Sequence, residues 1–128
     1  PMAKTTFKND VIVTGTLDVK GGVKATLGAA AATAGAATLA ARQGKITTEA
    51  LTTAQNLFYT LTITNTAVAA ADIVMASLAN GTNSAGTPVI TSVTPGAGSI
   101  VIVVQNMHAT AVALNGTLVI SFQVLKAA

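Results

Sequence analysis

Residues 57–65 read LFYTLTITN, and the alternation along them decides the fold class. From residue 57 to residue 63 the odd positions are all apolar: Leu57, Tyr59, Leu61 and Ile63. The even positions carry Phe58 and three threonines. A period of two is typical of a β-strand that buries one face, and threonine and aromatic residues favour the same structure. The stretch therefore predicts a strand.

Similar segments follow toward the C-terminus, and most of them are bounded by residues that favour turns. The further predicted strands are residues 72–80, 87–95, 98–106, 108–115 and 117–125. Asn80-Gly81 and Asn115-Gly116 are the preferred dipeptides of two-residue hairpin turns, and the sequence TPGAGS at residues 94–99 also predicts a hairpin turn. Short strands at regular spacing predict an all-β protein whose residues 45–128 form an antiparallel β-sandwich or jelly-roll body.

The N-terminal residues 1–28 form a separate pattern, which predicts an extended β-ribbon arm. Apolar residues occupy alternate positions of the arm, and Gly15 and Gly21 interrupt them every six residues. A ribbon with one apolar face has to cover that face, and copies of the same chain are the simplest cover. We therefore expect a homo-oligomer, with these residues as its contacts: Val11, Val13, Leu17, Val19 and Val23.

Residues 29–44 are rich in Ala, Gly and Thr and are interpreted as a linker that leads into a first strand. Alanine favours a helix, whereas Thr33, Gly35 and Thr38 interrupt the run and no apolar stripe marks a buried face. The pattern leaves helix, strand and loop open for residues 29–43.

The charge is concentrated at the N-terminus. Residues 1–45 hold six of the seven Lys and Arg residues but only two of the four acidic residues. A basic arm fits an acidic docking surface, and a solvated polar face is the alternative. The candidate contacts to an acidic surface are Lys4, Lys8, Lys20 and Lys24. Nucleic acid is not expected as a partner, because the arm lacks clustered Arg and aromatic stacking residues.

The composition argues against catalysis. The chain has no Cys, so thiol catalysis, disulfides and thiolate metal sites are excluded, and its single His108 cannot form a multi-histidine metal site within one chain. Paired carboxylates have to converge for acid–base catalysis, and two of the four acids lie in the arm. We expect no enzyme activity, no catalytic, cofactor or metal site, and no cofactor.

The Ala-rich stretch at residues 25–41 is too weakly apolar for a membrane span, so no membrane contact is expected.

Two parts of the chain resemble bacteriophage structural proteins. Residues 45–127 resemble the C-terminal β domain of virion structural proteins of tailed bacteriophages, and the residues that carry this likeness are Thr47–Leu51, Tyr59–Thr62, Ala79–Thr82, Ser99–Val104 and Leu114–Thr117. The ribbon VTGTLDVKGG at residues 13–22 is similar to the V-x-G-x-L-x-V-x-G segments of trimeric phage fibres. Most of the chain is covered by the two resemblances.

The resemblance implies a noncatalytic virion protein, most simply a homotrimer. One placement is a capsid cement or decoration protein that binds the major capsid protein over junctions between its subunits. Such a protein is made in the host cytoplasm and resides on the capsid surface, where the arm and its lysines contact the shell. The other placement is a short head or tail fibre or spike whose β domain binds a host receptor or a glycan. The ribbon has only about three six-residue units, which favours the cement role.

Overall fold

A computed structural model describes residues 6–22 and 27–127 of the chain. The described residues contain strands and no helix, which confirms the all-β prediction. There are eight strands: β1 (Gly28–Ala31), β2 (Ala36–Thr38), β3 (Gln43–Thr47), β4 (Phe58–Thr64), β5 (Ile73–Asn80), β6 (Pro88–Gly96), β7 (Ser99–Asn106) and β8 (Leu118–Leu125).

The strands form two four-stranded sheets. Sheet I has the order β1-β3-β8-β5, and sheet II has the order β2-β4-β7-β6. Most neighbours are antiparallel, but β1 pairs with β3 and β2 pairs with β4 in parallel. The sheets are therefore mixed, whereas the sequence predicted antiparallel pairing. The reason is that the chain passes from β1 in sheet I to β2 in sheet II and then back to β3 in sheet I, which runs in the same direction as β1. β2 and β4 are related in the same way in sheet II.

The two sheets share one buried apolar cluster. In β4 the alternation has the predicted phase, since Tyr59, Leu61 and Ile63 are buried and the even positions are exposed. Sheet I contributes Ile46, Leu118, Ile120, Phe122 and Val124, and sheet II contributes Ala37, Ile100, Ile102 and Val104 besides the residues of β4. Because side chains alternate along a strand, those that do not face this cluster form the outer face of each sheet.

Residues 29–43, for which helix, strand and loop remained open, contain strands. β1 and β2 lie within residues 28–38; Ala37 of β2 is buried in the core cluster, and Ala30 of β1 packs against it partly buried. Gly35, with a φ of 74°, occupies the turn before β2, where a Cβ atom would lie 2.6 Å from the carbonyl oxygen of Thr60. Pairing with neighbouring strands has overridden the helix propensity of alanine.

Five of the predicted strands correspond to β4, β5, β6, β7 and β8, but the strand predicted at residues 108–115 is wrong. The backbone of that segment finds other partners. The N–H of Leu114 donates to the carbonyl of Thr53, and the carbonyl of Val112 accepts from the side chain of Asn106. These bonds satisfy the segment locally, so it stays an irregular loop despite its alternating apolar residues.

Of the three predicted hairpin turns, one is present and two are not. Ala97 and Gly98 join β6 to β7 in a hairpin, as predicted, with Gly98 at a φ of 81°. The hairpins predicted at Asn80-Gly81 and Asn115-Gly116 are wrong, because β5 leads to a strand of the other sheet and no strand precedes Asn115. A two-residue turn can join only neighbouring strands of one sheet.

The two Asn-Gly-Thr segments instead pair with each other. The N–H of Thr82 donates to Oγ1 of Thr117 at 2.9 Å, and the N–H of Thr117 donates to Oγ1 of Thr82 at 2.9 Å. A Cβ atom on Gly116 would lie 2.6 Å from the backbone nitrogen of Asn83. The glycines are thus needed for close approach of two loops.

Candidate functional site: an exposed apolar arm and an open sheet edge

The described part of the N-terminal arm, residues 6–22, is exposed along its whole length and forms no strand within the single chain. The expected ribbon is therefore not observed over residues 9–22. Alternation defines an apolar face but does not supply a hydrogen-bonding partner, and no described strand of this chain pairs with the arm. The arm nevertheless holds large apolar side chains in water, with Ile12 84% and Leu17 66% exposed.

The structure describes most of the candidate contacts. Val11, Val13, Leu17 and Val19 are all exposed, whereas Val23 lies outside the described residues. Two further apolar residues, Phe7 and Ile12, are also exposed; Phe7 precedes the predicted alternation, and Ile12 lies at one of its even positions. Ile12 shows that the arm has apolar side chains at even as well as odd positions. The signal was present in the sequence as the uninterrupted run Val11-Ile12-Val13.

The candidate cationic contacts are less distinctive. Lys8 and Lys20 are exposed, and Lys4 and Lys24 lie outside the described residues. Asp10 and Asp18 are exposed in the same segment, so residues 6–22 carry no net formal charge. The apolar side chains therefore distinguish this part of the arm more clearly than its charges do.

A second exposed apolar surface lies at the edge of sheet I. We call it the β5 patch; it consists of Ile73, Met75 and Leu125. Ile73 is opposite Leu125 in the register of β5 and β8, and Met75 is opposite Gln123. A shallow groove lined by Met75, Ser77, Ser121 and Gln123 continues the patch along the two strands. The sequence predicted this strand but not its position at an edge, which depends on the strand order.

The outer faces of both sheets are nearly free of charge. Lys45 is the only charged residue within the eight described strands. The outer face of β4 carries Phe58 and three threonines, and the outer face of β7 carries Ser99, Val101, Val103 and Gln105. Depletion of charged residues is characteristic of the centre of protein interfaces.

Asp72 holds the C-terminal end of the body. Its carboxylate accepts hydrogen bonds from Nζ of Lys126 and from the backbone N–H groups of Ala69 and Ala127. The bond from Lys126, reinforced by the two backbone donors, lowers the pKa of Asp72 from 3.8 to about 2. The carboxylate thus joins the residues before β5 to those after β8.

Glu49 also has a structural environment. Its carboxylate oxygens accept from the hydroxyl of Tyr59 and from the N–H of Gly35, each at 2.8 Å. Burial raises the pKa of the Tyr59 hydroxyl above its usual range, and the hydrogen bond to Glu49 raises it further. Glu49 therefore anchors the turn before β2 to β4.

The imidazole of His108 and the carboxylates of the described residues do not form a common site. Nδ1 of His108 lies 3.2 Å from the backbone N–H and carbonyl of Thr110, two residues away. Within residues 6–22 and 27–127, no three side chains of the His, Cys, Asp or Glu type come together in a way that could hold a metal ion. No helix of the described residues has the length and hydropathy needed to cross a bilayer.

Comparison of the chain with protein-family models, with curated proteins and with solved structures finds no match. The arm and the β5 patch are the exposed apolar surfaces of the described residues on which a proposal of function rests.

Proposed function

We propose that this chain is a noncatalytic structural protein of a tailed-bacteriophage virion, and that it acts as a homotrimeric capsid cement protein. It binds the major capsid protein over junctions between subunits and stabilises the shell. The resemblance of residues 45–127 and of the ribbon at residues 13–22 to phage virion proteins motivates this assignment.

The exposed apolar arm is the observation that carries the proposal. Val11, Val13 and Leu17 lie in water in the single chain, although burial of each such side chain is worth about 1.5–3 kcal/mol. An exposed apolar segment of this kind marks an interaction site. Copies of the chain and the capsid surface are the partners that a cement protein offers to it.

The body supports a role as a rigid block between subunits. Among the described residues, every buried side-chain nitrogen or oxygen has a hydrogen-bond partner. The charged groups of Asp72 and Glu49 are engaged in contacts that hold the body together. The nearly uncharged outer faces can pack against a shell or a neighbouring copy without burying unpaired charges.

We further propose that the body is a β-sandwich wound in the manner of a jelly roll. β3 pairs with β8 and β4 pairs with β7, so the chain resembles a folded antiparallel ribbon whose halves lie in different sheets. The buried cluster shared by the two sheets supports a sandwich. In the intact particle, the arm would form a strand once a partner strand is available.

The alternative is a short fibre or spike whose β domain binds a host receptor or a glycan. Its supporting observation is the exposure of Leu57, Phe58 and Met107, which are brought to one end of sheet II by the hydrogen bond between the N–H of Asn106 and the carbonyl of Leu57. An exposed aromatic side chain among uncharged polar ones offers a surface on which a sugar ring can stack.

Quantification of the protein in purified virions tests the assignment. A cement protein occupies every equivalent junction of the shell, so we expect hundreds of copies per particle by quantitative mass spectrometry. A dozen copies or so would contradict the cement role and support the fibre. Binding of the isolated protein to host cells or to a glycan array provides the second readout, which the fibre role predicts to be positive.

A further inference from the structure

The edge of sheet I at β5 lacks the features that normally protect an edge strand. β5 is eight residues long, carries no charge and no proline, and keeps an uninterrupted register with β8. By contrast, β6 at the edge of sheet II contains Pro88 and Pro95 and a register shift between Ile90 and Ser92. Prolines, charges and bulges are the usual means of preventing a further strand from pairing at an edge. The edge of β5 is therefore open to pairing.

The inner face of β5 also lacks cover. Val74, Ala76 and Leu78 point toward the core but are only partly buried, whereas Ile120, Phe122 and Val124 on the neighbouring β8 are 0–3% exposed. Among the described residues, the backbone of residues 73–79 forms hydrogen bonds to β8 alone. One additional strand would pair the free backbone groups and cover the three side chains together.

Residues 11–17 of the arm have the properties of that strand. The segment VIVTGTL is uncharged and seven residues long, close to the eight residues of β5. Paired with β5, one face of the segment would set Val11, Val13 and Leu17 against the half-covered side chains of the core. The other face would bring Ile12 to the β5 patch.

A second copy of the chain is the donor that the geometry favours. The arm precedes β1, which lies at the opposite edge of sheet I from β5, three strand spacings or about 14 Å away. In the single chain, residues 6–22 are exposed and no described strand pairs with them, although β5 of the same chain has an open edge, so we infer that the arm is free for a neighbour. A contact between two different surfaces is heterologous, and repetition of such a contact closes a ring when the rotation allows it.

We propose that residues 11–17 of each copy add as a strand to the edge of β5 in the next copy, and that this exchange closes the homotrimer. This inference rests on the proposed oligomeric function and specifies its contact. Each copy donates one arm and accepts one arm.

Two full-length variants separate the donor from the acceptor. Val13→Asp/Leu17→Asp damages the arm and leaves β5 intact. Ala76→Lys places a charge on the inner face of β5, where the side chain can extend into water only while the edge is open. Ala30→Lys is the matched control, because Ala30 is also a partly buried alanine that faces the core, on the opposite edge strand β1.

Native mass spectrometry of the variants alone and mixed is the test. We expect trimers for the wild type and for Ala30→Lys, and monomers for each of the other two variants alone. In a mixture, the intact arm of Ala76→Lys should dock on the intact β5 of Val13→Asp/Leu17→Asp and give a heterodimer. Circular dichroism checks that each variant is folded. If Ala76→Lys does not fold, Ile73→Lys/Met75→Lys, which changes the outer face of β5, serves as the acceptor variant instead.

The possible outcomes distinguish this inference from the proposed function. If Ala76→Lys and Ile73→Lys/Met75→Lys both remain trimeric, or if the mixture of monomeric variants gives no heterodimer, the arm does not dock on β5, although the homotrimer itself stands. If the wild type is monomeric, both the exchange and the homotrimer are wrong.

Discussion

The side chain of Asn106 holds together several loops at one end of the sheets. It is fully buried, and its Nδ2 group donates to the carbonyls of Thr53 and Val112 at 3.0 and 2.8 Å. Its Oδ1 atom accepts from the N–H groups of Thr87 and His108 at 3.0 and 3.2 Å. One amide thus replaces the ladder bonds that a strand would have supplied.

Replacement of this amide should be costly. We expect Asn106→Leu to lower the free energy of unfolding by about 3 kcal/mol, because buried backbone groups lose their partners. Gln105→Leu is the control, since the adjacent side chain faces outward and makes a single 3.3 Å hydrogen bond to the carbonyl of Asn56. Urea denaturation measures both variants, and equal effects would show that Asn106 is not the organising residue.

The hydrogen-bonded carboxylate of Asp72 should make the stability of the folded protein depend on pH. Its pKa in the folded protein, about 2, is below the ordinary value of 3.8, so the ionised carboxylate stabilises the folded state above about pH 4. This contribution is lost as the pH falls from 3.8 toward 2. In thermal melts, Asp72→Asn should be less stable than the wild type near neutral pH, and the difference should shrink at low pH.

The matched control for this titration is Asp18→Asn, which removes an exposed carboxylate of the arm. Its melting temperature should follow that of the wild type at every pH. A difference between wild type and Asp72→Asn that stays constant down to about pH 2 would contradict the assigned role of the carboxylate.

At the scale of elements, the strands were predictable where the side-chain alternation coincides with a core face. β4 and β7 bury every second residue, and the sequence shows this directly. The segment at residues 108–115 has similar alternation, but its backbone forms hydrogen bonds with the carbonyl of Thr53 and with the side chain of Asn106. Neither partner belongs to the alternating segment. Side-chain alternation gives no signal for polar contacts of this kind.

The paired Asn-Gly-Thr loops give an element-scale prediction. We expect Gly116→Ala to lower the free energy of unfolding by about 1–3 kcal/mol, because its Cβ atom would lie 2.6 Å from backbone atoms of Thr82 and Asn83 and the loops would have to separate. Gly21→Ala is the control, since a Cβ atom there meets no atom within 4 Å and Gly21 lies outside the proposed contact of residues 11–17. Chemical denaturation of the two variants should differ clearly; equal stabilities would mean that the loops tolerate separation.

At the scale of the molecule, the sequence predicted the all-β class but not the strand order. Parallel pairing of β1 with β3 and of β2 with β4 follows from the chain crossing between sheets, and the alanine-rich residues 29–43 do not specify that path. The position of β5 at an edge likewise depends on the complete topology. The apolar residues of positions 11–19 can be read from the sequence, whereas the exposure of Val11, Val13 and Leu17 in the single chain is a finding of the structure.

The oligomeric mass of the full chain is the most direct test of the arm as the contact between copies. Sedimentation equilibrium should give three times the chain mass of 12.6 kDa for the wild type, and the single mass for Val13→Asp/Leu17→Asp, because charges would be forced into an apolar contact. Thr14→Asp/Thr16→Asp adds the same charge at polar positions of the arm. Its average mass should lie closer to that of the trimer than the mass of Val13→Asp/Leu17→Asp does. A wild type that sediments as a monomer, or a Val13→Asp/Leu17→Asp variant that remains trimeric, would contradict the account.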